Sequence, residues 1–139
     1  TFRKNLGIKK IWRINKIKYI HENHKLQIMT VQEIVSQLNL TVCSGQEGLQ
    51  REVKGGYTSD LLSDVMGHAQ EGDIWVTLQT HKNVMAIASL KEIAAIILVK
   101  GHLPEEDTLE ESNNENIPIL SSPLQTFEIT GQLYKLLHP

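Results

Sequence analysis

Gly72-Asp-Ile-Trp-Val-Thr-Leu-Gln-Thr-His-Lys-Asn-Val-Met-Ala-Ile-Ala-Ser-Leu-Lys-Glu-Ile-Ala-Ala-Ile-Ile-Leu-Val-Lys-Gly101 is the stretch that decides how this chain folds. Ile74 to Leu78 is a short apolar run with weak alternation, the pattern of a strand covered on both faces. Thr80 reads as the cap of a helix reaching about Leu90, with Val84, Ile87, Ala88 and Leu90 for the core. Ala94 to Val99 then forms the clearest buried strand, and Gly101 ends it. Strand, helix and strand in this order make a βαβ unit, which predicts parallel pairing through a right-handed crossover.

The same alternation extends outward. Upstream, Thr30-Val-Gln-Glu33 is a capping box, followed by an apolar face of Val31, Ile34, Val35 and Leu38. Leu40 to Cys43 reads as a strand closed by Ser44-Gly45, and Arg51 to Val53 as another that ends in a Gly55-Gly56 turn. Ser59-Asp60 opens a helix offering Leu61, Leu62, Val65, Met66 and Ala69, with Asp60 in its first turn to suit the helix dipole. Downstream, Pro104 starts an acidic helix to about Asn114, and Ile117 to Leu120 is a strand. Ser122-Pro123 opens the last helix as cap and first residue, with Leu124, Phe127, Leu133, Leu136 and Leu137 as its face. The expectation is a single α/β domain: a small, mostly parallel sheet of about five strands with helices on both faces.

Charge divides the chain of 139 residues. Residues 1–28 carry eight basic side chains against one acid, Glu22, hence +7; residues 29–139 carry six basic against fifteen acidic, hence −9. A basic N-terminal arm (1–28) therefore precedes an acidic domain (29–139). Ile8, Ile11, Trp12 and Tyr19 are spaced loosely like one face of a basic helix, which suits nucleic acid or an anionic membrane surface. The other reading is a disordered or non-native tail, because Met29 stands immediately before the capping box. His21 and His24 lack companions at metal-ligand spacing, so no metal is expected. A charge of −9 on the domain argues against nucleic acid as its partner. Cys43 is the only cysteine, no apolar run approaches membrane-span length, and the arm lacks an apolar signal core. The expected compartment is the cytoplasm.

Catalytic patterns are missing from the sequence. Neither GxxxxGK[ST] nor GxGxxG occurs, and Cys43 has no CxxC partner. The acidic run Glu105, Glu106, Asp107, Glu110 and Glu111 reads as a solvated helix face, and His68 and His102 as solvated. No nucleophile pairs with His81, so no catalytic residue, metal or cofactor is expected. The polar stretch Thr77, Gln79, Thr80, His81 and Asn83 stands where a strand hands over to a helix, the place where open α/β sheets bind ligands. Gly55-Gly56 with Asp60, and Ser121-Ser122 after the last strand, are expected on the same rim, together holding a nucleotide or phosphorylated small molecule. Helix caps and turns would account for the same residues.

Several of these segments resemble the DRTGG domain family. The resemblance is carried by Arg51-Glu-Val-Lys-Gly-Gly56, Tyr57-Thr-Ser-Asp-Leu-Leu-Ser-Asp-Val65, Gly72 to His81 with Asn83, Ala88-Ser-Leu-Lys91 and Ala95 to Gly101, and spans about Met29 to Leu137. Gln50 stands where the family has Asp and Lys54 where it has Thr, so a backbone role for the glycines carries over while the two side-chain roles do not. The family is similar to the N-terminal domain of bacterial HPr serine kinase/phosphorylase and accompanies CBS modules in some pyrophosphatases. The resemblance implies a stand-alone, non-catalytic regulatory domain that binds a nucleotide or phosphorylated metabolite, forms a homodimer or engages a partner protein, or does only the latter.

Overall fold

The computed structural model describes residues 2–22 and 27–139, and within the first segment the side chains of residues 5, 7–18. Helix α1 (Phe2–Glu22) makes up most of the basic arm, and its described side chains, among them Ile8, Ile11, Trp12, Ile14 and Ile17, are all exposed. They point in several directions around the helix, so no single apolar face is formed. His24 and the side chains of Tyr19 and His21 lie outside the described residues.

From Met29 onward strands and helices alternate, with one exception. Strands β1 (Met29–Thr30), β2 (Thr41–Ser44), β3 (Glu52–Val53), β4 (Gly55–Thr58), β5 (Asp73–Thr77), β6 (Ala95–Leu98) and β7 (Ile119–Ser121) are separated by helices α2 (Val31–Leu38), α3 (Leu62–His68), α4 (Asn83–Leu90) and α5 (Glu106–Glu115), and α6 (Thr126–Leu137) closes the chain. The exception is that β2, β3 and β4 follow one another with only a 3-10 turn (Gln46–Gly48) between the first two. The main sheet runs β2-β7-β6-β5-β4. Every pair in it is parallel except β2 with β7. The expected α/β architecture is present, with β1 and β3 as a separate antiparallel ribbon.

Two apolar layers sandwich the sheet, because alternate side chains of each strand point to opposite faces. Ile74, Val76, Ile97 and Leu120 meet Val31 and Ile34 of α2 and Ile129, Leu133 and Leu137 of α6. Trp75, Ile96, Leu98 and Ile119 meet Val65 of α3 and Val84, Met85, Ile87 and Ala88 of α4. The helices between the consecutive parallel strands β4 to β7 share one face, as repeated right-handed crossovers require. The other face is covered by α2, which precedes the sheet strands, and by α6, which follows β7.

The capping box is formed: the Glu33 N–H donates to Thr30 Oγ1 and the Thr30 N–H to the Glu33 carboxylate, each at 3.2 Å. Asn39 and Asn116 take the left-handed conformation that ends α2 and α5. Arg51 then donates from Nε to the Asn116 carbonyl (2.9 Å) and from Nη2 to that of Glu115 (3.3 Å), placing a cation on the negative end of α5. Arg51 is thus a clamp between the start of the ribbon strand β3 and the end of α5.

Four expectations are corrected. Thr80 does not cap α4, which starts at Asn83; its carbonyl instead receives the Glu105 N–H (3.2 Å) and the Thr108 hydroxyl (2.9 Å). Ser122 does not cap the last helix, which starts at Thr126; its Oγ accepts the Leu124 N–H within the preceding turn. Phe127 is 90% exposed and Ile129 takes the core position on α6, because Ile129, Leu133 and Leu137 recur every fourth residue and define the buried stripe, from which Phe127, two residues before Ile129, is turned away. Leu61, Met66 and Leu90 are exposed rather than buried.

Candidate functional site

Asp60 lies outside the first turn of α3, and its carboxylate turns back onto β5. Its Oδ1 accepts the Thr77 hydroxyl (2.9 Å) and the Leu78 N–H (2.8 Å), while its carbonyl accepts the Gln79 side-chain amide (3.0 Å). Thr77 Oγ1 in turn accepts the Gln79 N–H (3.2 Å). The Trp75 indole donates to the Ser59 carbonyl at 2.8 Å. The loop after β4 is thereby pinned across the end of β5, and these polar groups satisfy one another.

The start of α4 is equally occupied. The Asn83 N–H donates to His81 Nδ1 (3.1 Å), that of Val84 to the His81 carbonyl and that of Met85 to the Lys82 carbonyl (3.0 Å each). An anion would find these three donors already paired, which removes the chief attraction of a helix N-terminus. At the neighbouring strand ends, the Lys100 N–H donates to the Leu124 carbonyl (2.8 Å) and that of Gly101 to the Ser122 carbonyl (2.9 Å). Ser121 Oγ reaches the His102 carbonyl at 3.5 Å. Topology brings Asp60, Thr77, Gln79, Thr80, His81, Asn83, Ser121 and Ser122 to the carboxyl ends of the parallel strands, as expected, but as an interlocked set of turns.

Gly55 and Gly56 are elsewhere. They pair in register with Asp73 and Ile74 at the amino end of the sheet, so they form a strand rather than a turn and do not share the rim. Strand β4 is also the last in the sheet order, and its outer side borders a cavity of about 680 Å³. Ligand sites of small-molecule size fall in this range.

The walls of that cavity come from both faces of the sheet. Gly55 and Gly56 form its floor, with Tyr57 and Thr58 continuing along β4. On one side α6 supplies Leu133 and the rings of Tyr134 and His138, which stack at 4.2 Å between centroids and 19° between planes. On the other, His68, Gln70 and Asp73 stand at the end of α3 and the start of β5. Lys16 and Lys54 stand at the rim, Lys54 with its ammonium 3.6 Å from the Glu71 carboxylate. The glycines are needed here: a Cβ on Gly56 would come within 3.1 Å of Leu133, and one on Gly55 within 2.7 Å of Asp73 Oδ1.

Asp73 is buried at 7% exposure, and burial pushes its carboxyl above the ordinary range. Nearby, Asp64 accepts the Tyr57 hydroxyl at 2.9 Å and lies 3.2 Å from His68 Nδ1. The hydrogen bond from Tyr57 holds the Asp64 carboxyl below its ordinary value and raises the Tyr57 phenol. His68 is thus partnered although exposed. Cys43 is half-buried and its thiol is pushed up by burial, which disfavours a reactive thiolate.

Sequence reasoning missed Asp73, Lys54, Tyr134 and His138. An acid opening an otherwise apolar strand was the available signal, since a carboxylate there must be housed against the neighbouring backbone.

The family model for the DRTGG domain matches residues 33–136. An HPr kinase/phosphorylase of Brevibacillus brevis is 24% identical over 122 residues, covering 77% of this chain and 39% of that protein. The CBS and DRTGG domains of the regulatory region of Clostridium perfringens pyrophosphatase, solved with the activator diadenosine tetraphosphate, share the fold. Their TM-score is 0.58 at 17% identity, over 79% of this chain and 50% of that one. The chain thus spans half or less of these relatives. Among the described residues, no helix is long and apolar enough to cross a membrane.

Proposed function

The chain belongs to the DRTGG domain family, and from that premise we propose that it is a non-catalytic regulatory domain that binds a nucleotide or other phosphorylated metabolite. The observation that carries this reading is the cavity beside β4, which joins a glycine floor, a pair of stacked rings and a lysine-bearing rim. A planar base can lie against the rings, and a phosphate can reach the lysines. The structural neighbour is a regulatory region solved with a dinucleotide activator, which supports the same class of ligand here.

The test is a thermal-shift and calorimetric series with adenine and guanine nucleotides, diadenosine tetraphosphate and sugar phosphates. A ligand that binds the folded state raises the melting temperature with concentration. No shift with any of them at millimolar concentration would sink the reading.

A second reading, self-association, is favoured by one separate observation. Leu61, Leu103 and Phe127 follow β4, β6 and β7 at the carboxyl edge and are 64%, 65% and 90% exposed. Light scattering of the full chain and of Phe127→Glu checks it. A monomer at every concentration would remove it.

A further inference from the structure

Asp73 is a buried acid whose carboxylate is only half used. Its Oδ2 accepts the Gln70 N–H at 2.8 Å, and no other described hydrogen bond reaches it. Among the described residues no buried side-chain oxygen or nitrogen is left without a partner. Oδ1 is therefore open to the cavity that Asp73 lines rather than sealed in the core. Gly55 keeps it open: any side chain there would start 2.7 Å from Oδ1. A carboxylate oxygen held in this way accepts hydrogen bonds and offers none while ionised.

We infer that Asp73 selects the ligand, taking a nucleotide whose base carries an exocyclic amino group and rejecting one with a carbonyl at that position. The inference rests on the nucleotide reading above and adds to it the group that reads the base. The base extends the Tyr134–His138 stack over the Gly55-Gly56 floor, directing its edge toward Asp73 and its phosphate toward the lysine rim. An amino group then donates to Oδ1. A carbonyl in its place sets one acceptor against another in a desolvated site, the arrangement that discriminates most strongly between otherwise isosteric ligands.

Calorimetry of the full chain with AMP, IMP and purine riboside monophosphate tests the assignment. IMP exchanges the 6-amino group for a carbonyl and also gains a proton at N1, whereas purine riboside monophosphate loses the amino group alone and should likewise bind more weakly than AMP. The expected result is AMP tighter than IMP by about tenfold or more, the size of a hydrogen bond to a charged group. In Asp73→Asn the side-chain oxygen keeps the Gln70 N–H and the amide NH2 faces the cavity, so the preference collapses or reverses toward IMP. Equal affinities in the unaltered chain would overturn the role of Asp73 while leaving nucleotide binding intact. Binding of none would overturn both, and the nucleotide comparison decides even if the variant does not fold.

Discussion

The two ends of the parallel strands β4 and β5 solve opposite problems with the same residue type. At the carboxyl end Asp60 spends its carboxylate on Thr77 and Leu78, and the surrounding polar groups close on one another. At the amino end Asp73 accepts one backbone N–H and leaves its second oxygen open beside a cavity. The first arrangement holds loops in place; the second is equipped to meet something from outside. Polar residues after a strand are therefore a weaker sign of a site than an acid that the fold buries without using up.

The largest effect that sharpens this contrast is Asp60→Ala. It strands the fully buried Thr77 hydroxyl and the Leu78 N–H, so chemical denaturation should show a loss of about 2–4 kcal/mol. Ligand affinity of the folded protein should stay unchanged. Gly56→Val should act the other way round. Its side chain presses on Leu133 and fills the cavity floor, weakening ligand binding tenfold or more in calorimetry at a stability cost of about 1–3 kcal/mol.

Asp73→Asn gives a pH signature. Because the folded-state value of Asp73 is raised, the folded protein holds that proton more tightly than the unfolded chain. Its contribution to stability is fully present below the ordinary carboxylate range. It is lost as pH rises through the ordinary value to the raised one. The variant should therefore melt above the parent protein at neutral pH, and the gap should close as pH falls below the ordinary range. A constant gap across the titration would contradict the assignment. His81→Ala should do least: it removes one acceptor from the Asn83 N–H on an exposed turn, costing about 0.5–1 kcal/mol with unchanged ligand affinity.

The architecture was legible because βαβ periodicity and helix caps are local signals. Ala95 to Leu98 needed only its own apolar run, and Thr30 with Glu33 only each other. The Gly55-Gly56 strand was illegible because glycine signals a turn, whereas here the missing Cβ makes room for Leu133 and Asp73, residues distant in sequence. Thr80 and Ser122 misled for a related reason: each suits a cap, but their partners come from α5 and from a turn that delays α6. The cavity itself is assembled from β4, α3, β5 and α6, so no single segment could announce it. The arm and the boundary at Met29 remain a proposal, with α1 as a basic helix whose described side chains are exposed.

The most direct measurement is a backbone-amide NMR titration of the full chain with AMP. The account predicts saturable shifts at Gly55, Gly56, Gln70, Asp73, Tyr134 and His138, while Leu78 to Asn83 and Gly101 stay in place. Shifts confined to Leu78 to Asn83, Gly101 and Ser122 would contradict it and return the site to the carboxyl edge.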